Sequence, residues 1–230
     1  MAKPLIIAHR GASAAAPENT LAAFRQALAV KVDGIELDVQ LTRDGVPVVF
    51  HDATLRRLTG ASGRLSAKSW PELTALRIQD TEPIPRLVEV LRLTRSQVQV
   101  QIELKAGTTV APVVRAIRAA RATNWVILAS FDPALVRDAL QLAPAVPRML
   151  ISEGRTRPGT LVRQLMALRA CGLSVNHRAV RDAAWVQYFQ SRGYIVWCWT
   201  VNDAPTARRL AGWGVEGILG DNPALLKRVV

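Results

Sequence analysis

The chain contains three histidines, and each of them closes an apolar run: His9 in Ala8-His9-Arg10-Gly11, His51 in Val49-Phe50-His51-Asp52, and His177 in Val175-Asn176-His177-Arg178. Imidazoles titrate near neutrality, so a pair beside one substrate can take a proton from a nucleophile and give one to a leaving group. The acids are placed as specifically. Glu36 and Asp38 stand two residues apart in Gly34-Ile35-Glu36-Leu37-Asp38-Val39, and Glu103 and Lys105 stand two apart in Gln101-Ile102-Glu103-Leu104-Lys105. In a strand, that spacing puts both members of each pair on one face. Anions aimed the same way repel unless a cation lies between them. Three converging carboxylates make an oxygen-rich site for one hard divalent cation, magnesium or calcium, whereas zinc would favour His and Cys. The plainer reading is ordinary ion pairing, for instance Glu103 with Lys105. For three acids at strand ends the metal reading is preferred, because buried acids need pairing. Arg10 and Lys105 would offer positive charge to the nonbridging oxygens of a phosphate, and Arg10 is equally well placed for a structural pair with Glu18.

Residues of this kind need a scaffold that brings distant strand ends together. Eight apolar runs read as parallel strands: Leu5 to His9, Asp33 to Leu41, Val98 to Lys105, Trp125 to Phe131, Arg148 to Ser152, Leu173 to His177, Tyr194 to Thr200, and Gly217 to Leu219. Segments of helical period lie between most of them, at Asn19 to Ala29, Leu87 to Leu93, Pro112 to Arg121, Pro133 to Leu142, Thr160 to Ala170, Ala183 to Ser191, and Pro205 to Trp213. Eight strand-then-helix units predict an α/β fold of the (β/α)8 TIM-barrel type, with an open doubly wound sheet as the alternative. One unit breaks the rhythm, since about forty-five residues part the second strand from the helix at Leu87. Asp44-Gly45 reads as a hairpin turn there, and a turn-rich stretch follows from Gly60 to Pro85. A long insertion on the face that carries barrel active sites, about residues 52–85 of a single domain spanning 1–230, is expected to cover substrate.

Several residues near these motifs have local duties to perform. Asn19 and Thr20 suit the cap of the first helix, with Glu18 free to orient Arg10 from behind. Asp52 could hold its loop or steer His51. Asp221, followed by Pro223, reads as a loop or cap residue. Trp197 and Trp199 share a face of the seventh strand, and Trp199, nearer its C-terminal end, is the one expected in a pocket.

Composition removes whole classes of function. The 230 residues carry a formal net charge of +12, are 50% hydrophobic and only 21% charged, which excludes a disordered or fibrous chain. No apolar stretch is long enough to cross a bilayer, so integral membrane association is not expected. Met1 to His9 lacks a signal-peptide core, which points to a cytoplasmic protein. Cys171 and Cys198 have neither metal nor redox spacing and fit reduced, buried thiols. Of 30 basic residues 25 are arginine, mostly on helical faces and not interleaved with exposed aromatics, so nucleic acid is not the expected partner. No oligomeric state is indicated.

Taken in order, His9-Arg10-Gly11, Pro17-Glu18-Asn19-Thr20, Asp33-Gly34-Ile35-Glu36-Leu37-Asp38-Val39, Thr42-Arg43-Asp44-Gly45, and His51-Asp52 closely resemble the glycerophosphodiester phosphodiesterase family. The resemblance continues through Leu55, Arg57, Thr59, Gly63, Ile84-Pro85, Ile102-Glu103-Leu104-Lys105, Ser130-Phe131, Trp199-Thr200-Val201-Asn202, and Gly217-Ile218 with Asp221. It spans essentially the whole chain and is nearest the short cytosolic bacterial branch. The family implies a (β/α)8 barrel with a small insertion after its second strand. It implies Glu36, Asp38 and Glu103 as ligands of one divalent cation, Mg2+ or Ca2+, and His9 and His51 as the acid/base pair. Arg10 and Lys105 match phosphate-contacting positions, Asn176 and His177 a strand-end pair, and Trp199 an aromatic at the glycerol end of the pocket. Arg86 and Gly220 stand where threonine is usual. The implied reaction is hydrolysis of small glycerophosphodiesters, deacylated phospholipids, to glycerol 3-phosphate and an alcohol. The competing expectations are a lysophospholipase D-type lipid phosphodiesterase, which would need an apolar mouth for an acyl chain, and a non-enzymatic basic binding protein.

Overall fold

The computed structural model describes residues 3–105 and 110–230. The chain begins with β1 (Leu5–Ala8), α1 (Leu21–Ala29) and β2 (Gly34–Leu41), then turns back through β3 (Pro47–Val49). An insertion follows with α2 (Arg56–Thr59), α3 (Trp70–Thr74), β4 (Arg77–Ile78) and β5 (Glu82–Pro83). Regular alternation then resumes with α4 (Leu87–Thr94), β6 (Gln99–Leu104), α5 (Val110–Ala119), β7 (Val126–Ser130), α6 (Pro133–Leu142) and β8 (Arg148–Ser152). It ends with α7 (Pro158–Leu168), β9 (Gly172–Asn176), α8 (Ala183–Gln190), β10 (Ile195–Trp199), α9 (Ala204–Gly212), β11 (Gly217–Gly220) and α10 (Pro223–Val229).

Eight parallel strands pair in the order β1-β2-β6-β7-β8-β9-β10-β11, and β11 returns to β1. The ring is closed: Ala8 sits beside Ile35 on one side and Gly220 on the other. This is the expected (β/α)8 barrel. Strands covered on both faces are mostly apolar, and β7, β8 and β11 are buried along their whole length. The interior is filled by Ile7, Ile127, Ala129, Met149, Ile151, Trp197 and Leu219. Gly217 makes room for the largest of these, since a Cβ there would lie 2.5 Å from the Trp197 ring.

Helices start where a short polar side chain can accept from their first free N–H groups. Thr20, Asp132, Asp182, Asp203 and Asn222 each do so. Asn19, expected to share the capping of α1, does not: Thr20 alone accepts from the Ala23 amide, and Asn19 turns into the barrel. The final helix α10 completes the eighth strand-then-helix unit, although none of the expected segments covers it; Asn222 and not Asp221 caps it, and Pro223 occupies its first turn, where the missing N–H costs nothing.

The hairpin expected at Asp44-Gly45 is present, with Val39 paired antiparallel to Val49. Val48 of β3 and, beyond the hairpin, Phe50, Leu55, Leu58, Leu65, Leu73, Ile78 and Ile84 pack into a core of their own. The insertion is thereby a platform packed on its own core. Both cysteines are free thiols, Cys198 buried and Cys171 half-buried. Among the described residues no helix is long and apolar enough to cross a membrane.

Candidate active site

A cavity of about 270 Å³ opens at the carboxyl ends of the barrel strands. His9, Glu36, His51, Glu103 and Lys105 line it from the side of β1, β2 and β6, while Phe131, Ile151, Glu153, Trp199 and Leu219 face them from β7 to β11. The register explains the convergence. Asp38 lies directly beside Glu103, and Glu36 beside Gln101, so alternate residues of neighbouring strands project to one face.

Glu36, Asp38 and Glu103 are all buried, and each offers an oxygen within 4.8 Å of the others. Their positive neighbours are Lys105, with Nζ 2.5 Å from Glu103 Oε1 and 3.0 Å from Asp38 Oδ1, and Arg10, with Nε 3.2 Å from Asp38 Oδ2. The Lys105 ammonium is shared between Asp38 Oδ1 and Glu103 Oε1, so neither acid has it to itself. Burial, then the negative charge of Asp38, pushes Glu36 up to about 8. Glu103 is raised for the same two reasons. Burial also disfavours ionised Asp38, but Lys105 and Arg10 outweigh it and hold the group below the usual carboxylate range. The cluster is short of positive charge, because its three acids share Lys105 and an Arg10 that also pairs with Glu18. Its donors are all hard carboxylate oxygens, the set that suits a magnesium- or calcium-like ion.

Two imidazoles flank this cluster, each tethered through one ring nitrogen. His9 Nδ1 lies 2.7 Å from Asp221 Oδ1, and His51 Nδ1 lies 2.7 Å from Asp52 Oδ1. A carboxylate on Nδ1 fixes the ring and leaves Nε2 for chemistry; His9 Nε2 stands 4.0 Å from Glu36 Oε2. Burial works against a charged His9, but the Asp221 bond and the Glu36 charge prevail and raise it above 6.5. For His51 burial prevails, and it is lowered.

The surrounding residues sort by contact. Arg10 donates to Glu18 Oε1 at 2.8 Å, so the structural pair foreseen in the sequence exists, and its other face meets Asp38. Asn19 donates to Asp38 Oδ2 at 2.8 Å and accepts from the Asp38 amide at 3.3 Å. Trp199 lines the cavity edge-on to Phe131, with ring centroids 5.6 Å apart. Asn176 and His177 lie at the end of β9 outside that lining: Asn176 donates to Glu153 Oε2 at 3.0 Å, and His177 Nδ1 lies 3.3 Å from the Trp199 carbonyl oxygen. Sequence reasoning missed Asp221 as a histidine partner, Asn19 as a partner of Asp38, and Glu153 altogether. The signal for Asp221 was available in principle, because a closed barrel seats its last strand against its first, and the residues following Ala8 and Gly220 are His9 and Asp221.

Fold and site together define a closed (β/α)8 barrel that gathers three buried acids and two carboxylate-tethered imidazoles at the carboxyl ends of its strands. A sequence profile of the glycerophosphoryl diester phosphodiesterase family matches residues 9–225. A glycerophosphodiester phosphodiesterase of Caldanaerobacter subterraneus subsp. tengcongensis is 33% identical over 242 aligned positions, covering 99% of this chain and 98% of that protein. A phosphodiesterase of Oleispira antarctica, solved in complex with the product sn-glycerol-3-phosphate, superposes with a TM-score of 0.93 at 28% identity, covering 99% of this chain and 96% of that one. The glycerophosphodiester phosphodiesterase of Thermotoga maritima gives 0.88 at 25% identity, with all of both chains covered. The chain therefore belongs to the glycerophosphoryl diester phosphodiesterase family, a family of phosphoric diester hydrolases.

Proposed function

We propose that this protein hydrolyses small glycerophosphodiesters to glycerol 3-phosphate and an alcohol, using His9 and His51 as its acid/base pair. The observation that carries the reading is the meeting of two tethered imidazoles with a three-carboxylate cluster, of which Glu36 and Glu103 line the same cavity as the two rings. Glu36, Asp38 and Glu103 would hold one divalent cation, Mg2+ or Ca2+. Such a cation, when bound, supplies charge for the phosphoryl oxygens. The chain's own groups do the rest. One imidazole takes the proton of the attacking oxygen, and one imidazolium delivers a proton to the leaving alkoxide. Asp221 and Asp52 keep each ring aimed and offset its positive charge. Lys105 and Arg10 face the phosphate with donors, Glu18 holds Arg10 in place, and Trp199 offers an apolar wall to the glycerol carbons. His177 and Asn176 act at the rim beside Glu153. The whole chain works as one cytoplasmic domain, with the insertion at about 52–85 as its cover.

The test is release of glycerol 3-phosphate from glycerophosphocholine and glycerophosphoethanolamine, with and without magnesium or calcium. Release that depends on added cation is expected; full activity in excess chelator would remove the cation from the reading. The lipid-directed alternative has one observation in its favour, the 42% exposed Phe131 at the cavity wall. Faster cleavage of lysophosphatidylcholine than of glycerophosphocholine would replace the reading with that one.

A further inference from the structure

Arg57 belongs to the insertion, yet its guanidinium reaches two carboxylates that each serve a different site residue. Its Nε donates to Asp52 Oδ2 at 2.6 Å and its Nη2 to Asp52 Oδ1 at 2.8 Å. On the other side Nη1 donates to Glu18 Oε2 at 2.9 Å and Nη2 to Glu18 Oε1 at 2.8 Å. Asp52 tethers His51, and Glu18 holds Arg10. An unbroken chain of contacts thus runs His51, Asp52, Arg57, Glu18, Arg10, Asp38. Only a planar guanidinium can present paired donors to two carboxylates at once; an ammonium would serve them one at a time.

The platform beneath Arg57 is built to hold it still. Leu55 and Leu58, on either side of it in sequence, are buried in the insertion's own core, while the Arg57 side chain is 46% exposed and, among the described residues, bonded only to the two acids. Four hydrogen bonds at a half-exposed surface position exceed what anchoring a short helix requires.

We propose that Arg57 is a positioning residue that locks the His51 ring and the Arg10 guanidinium into one mutual geometry, so that the insertion sets the distance between proton transfer and phosphate binding. The inference rests on the phosphodiesterase reading above. An inactive wild-type protein would defeat that reading, whereas an active wild type with indifferent Arg57 variants would defeat only this inference.

The experiment uses the full chain with saturating cation and glycerophosphocholine. Arg57→Ala is expected to lower kcat by about 10- to 100-fold, the scale of losing a hydrogen-bond partner that orients a side chain of the site, with cation affinity by calorimetry within twofold of wild type. Arg57→Lys is expected to recover less than half of the loss on a logarithmic scale. The decisive readout is a cycle of Glu18→Gln and Asp52→Asn. With Arg57 present, the double variant should be at least about threefold more active than the product of the two single effects predicts. In the Arg57→Ala background that surplus should vanish. Arg57→Ala at wild-type kcat, or independent multiplication of the two acid substitutions with Arg57 present, would overturn the inference. Should Arg57→Ala fail to fold, Arg57→Lys and the cycle with Arg57 present decide it alone.

Discussion

An imidazole tethered at Nδ1 keeps one nitrogen free, and the two tethers here act in different surroundings. Around His9, Asp221 and Glu36 overcome burial and favour the imidazolium past 6.5; around His51, burial favours the neutral ring. Between those two ionisations one acid and one base coexist, so kcat/KM against pH should be bell-shaped. Asp221→Asn removes a bond that raises His9, and the alkaline limb should move to lower pH; an unmoved limb would disprove the tether's role. Replacing either ring, His9→Ala or His51→Ala, should cost about 10²- to 10⁴-fold in kcat while calorimetry finds cation binding intact. Glu36 gives a separate signature in stability. Its carboxyl, raised from 4.5 to about 8, binds a proton in the folded protein that the unfolded chain has released, so its contribution to stability falls as pH rises across that window. A bound cation removes the penalty. The rise in Tm on adding calcium or magnesium should therefore be larger at pH 8 than at pH 5, and an equal rise at both would contradict it. The three acids and two imidazoles were legible from spacing and motif. Their tethers were not, because Asp221 lies 212 positions from His9 and nothing local to either residue announces the pairing.

At the scale of elements, the strands were legible to within a residue or two because double burial makes them short, continuous apolar runs. The errors fell where a polar residue had two employments. Asn19 precedes a helix and looks like a cap, yet it adopts a left-handed conformation, φ 60°, and serves Asp38. No sequence pattern distinguishes a side chain turned toward the helix from one turned into the barrel. The loop from β1 to α1, which carries Arg10 and Glu18, depends on close approach of backbone to helix. Gly11 has φ +80°, and a Cβ on it would fall 2.7 Å from the Ala23 Cβ and 2.8 Å from its carbonyl carbon. Gly11→Ala should push α1 away from the barrel end at a cost of at least about 1 kcal/mol, seen as a Tm lower by roughly 2–4 °C per kcal/mol. Because Arg10 rides on the same loop, KM should rise as well. An unchanged Tm would show that the loop accommodates the methyl group.

At the scale of the molecule, the formal charge of +12 coexists with a site built on acids, and the two have different reach. The acids act within a few ångströms, whereas the surface charge acts over about a Debye length, roughly 8 Å at physiological salt. Zwitterionic glycerophosphocholine has little net charge for that field to attract, and glycerophosphoglycerol, an anion, has more. Raising ionic strength should lower kcat/KM for the anionic diester and leave the zwitterionic one nearly unchanged; parallel curves would show that the surface charge plays no part in encounter. Barrel closure has a consequence of another kind. The tether of His9 comes from just beyond β11, the last strand to join the ring, and β1 is the first. A growing or partly unfolded chain with seven strands in place would hold every carboxylate of the cluster and still leave the His9 ring free to swing. Turnover is thus a reporter on whether the first and last strands have met, and loss of activity should precede loss of helical signal when the protein is gently denatured.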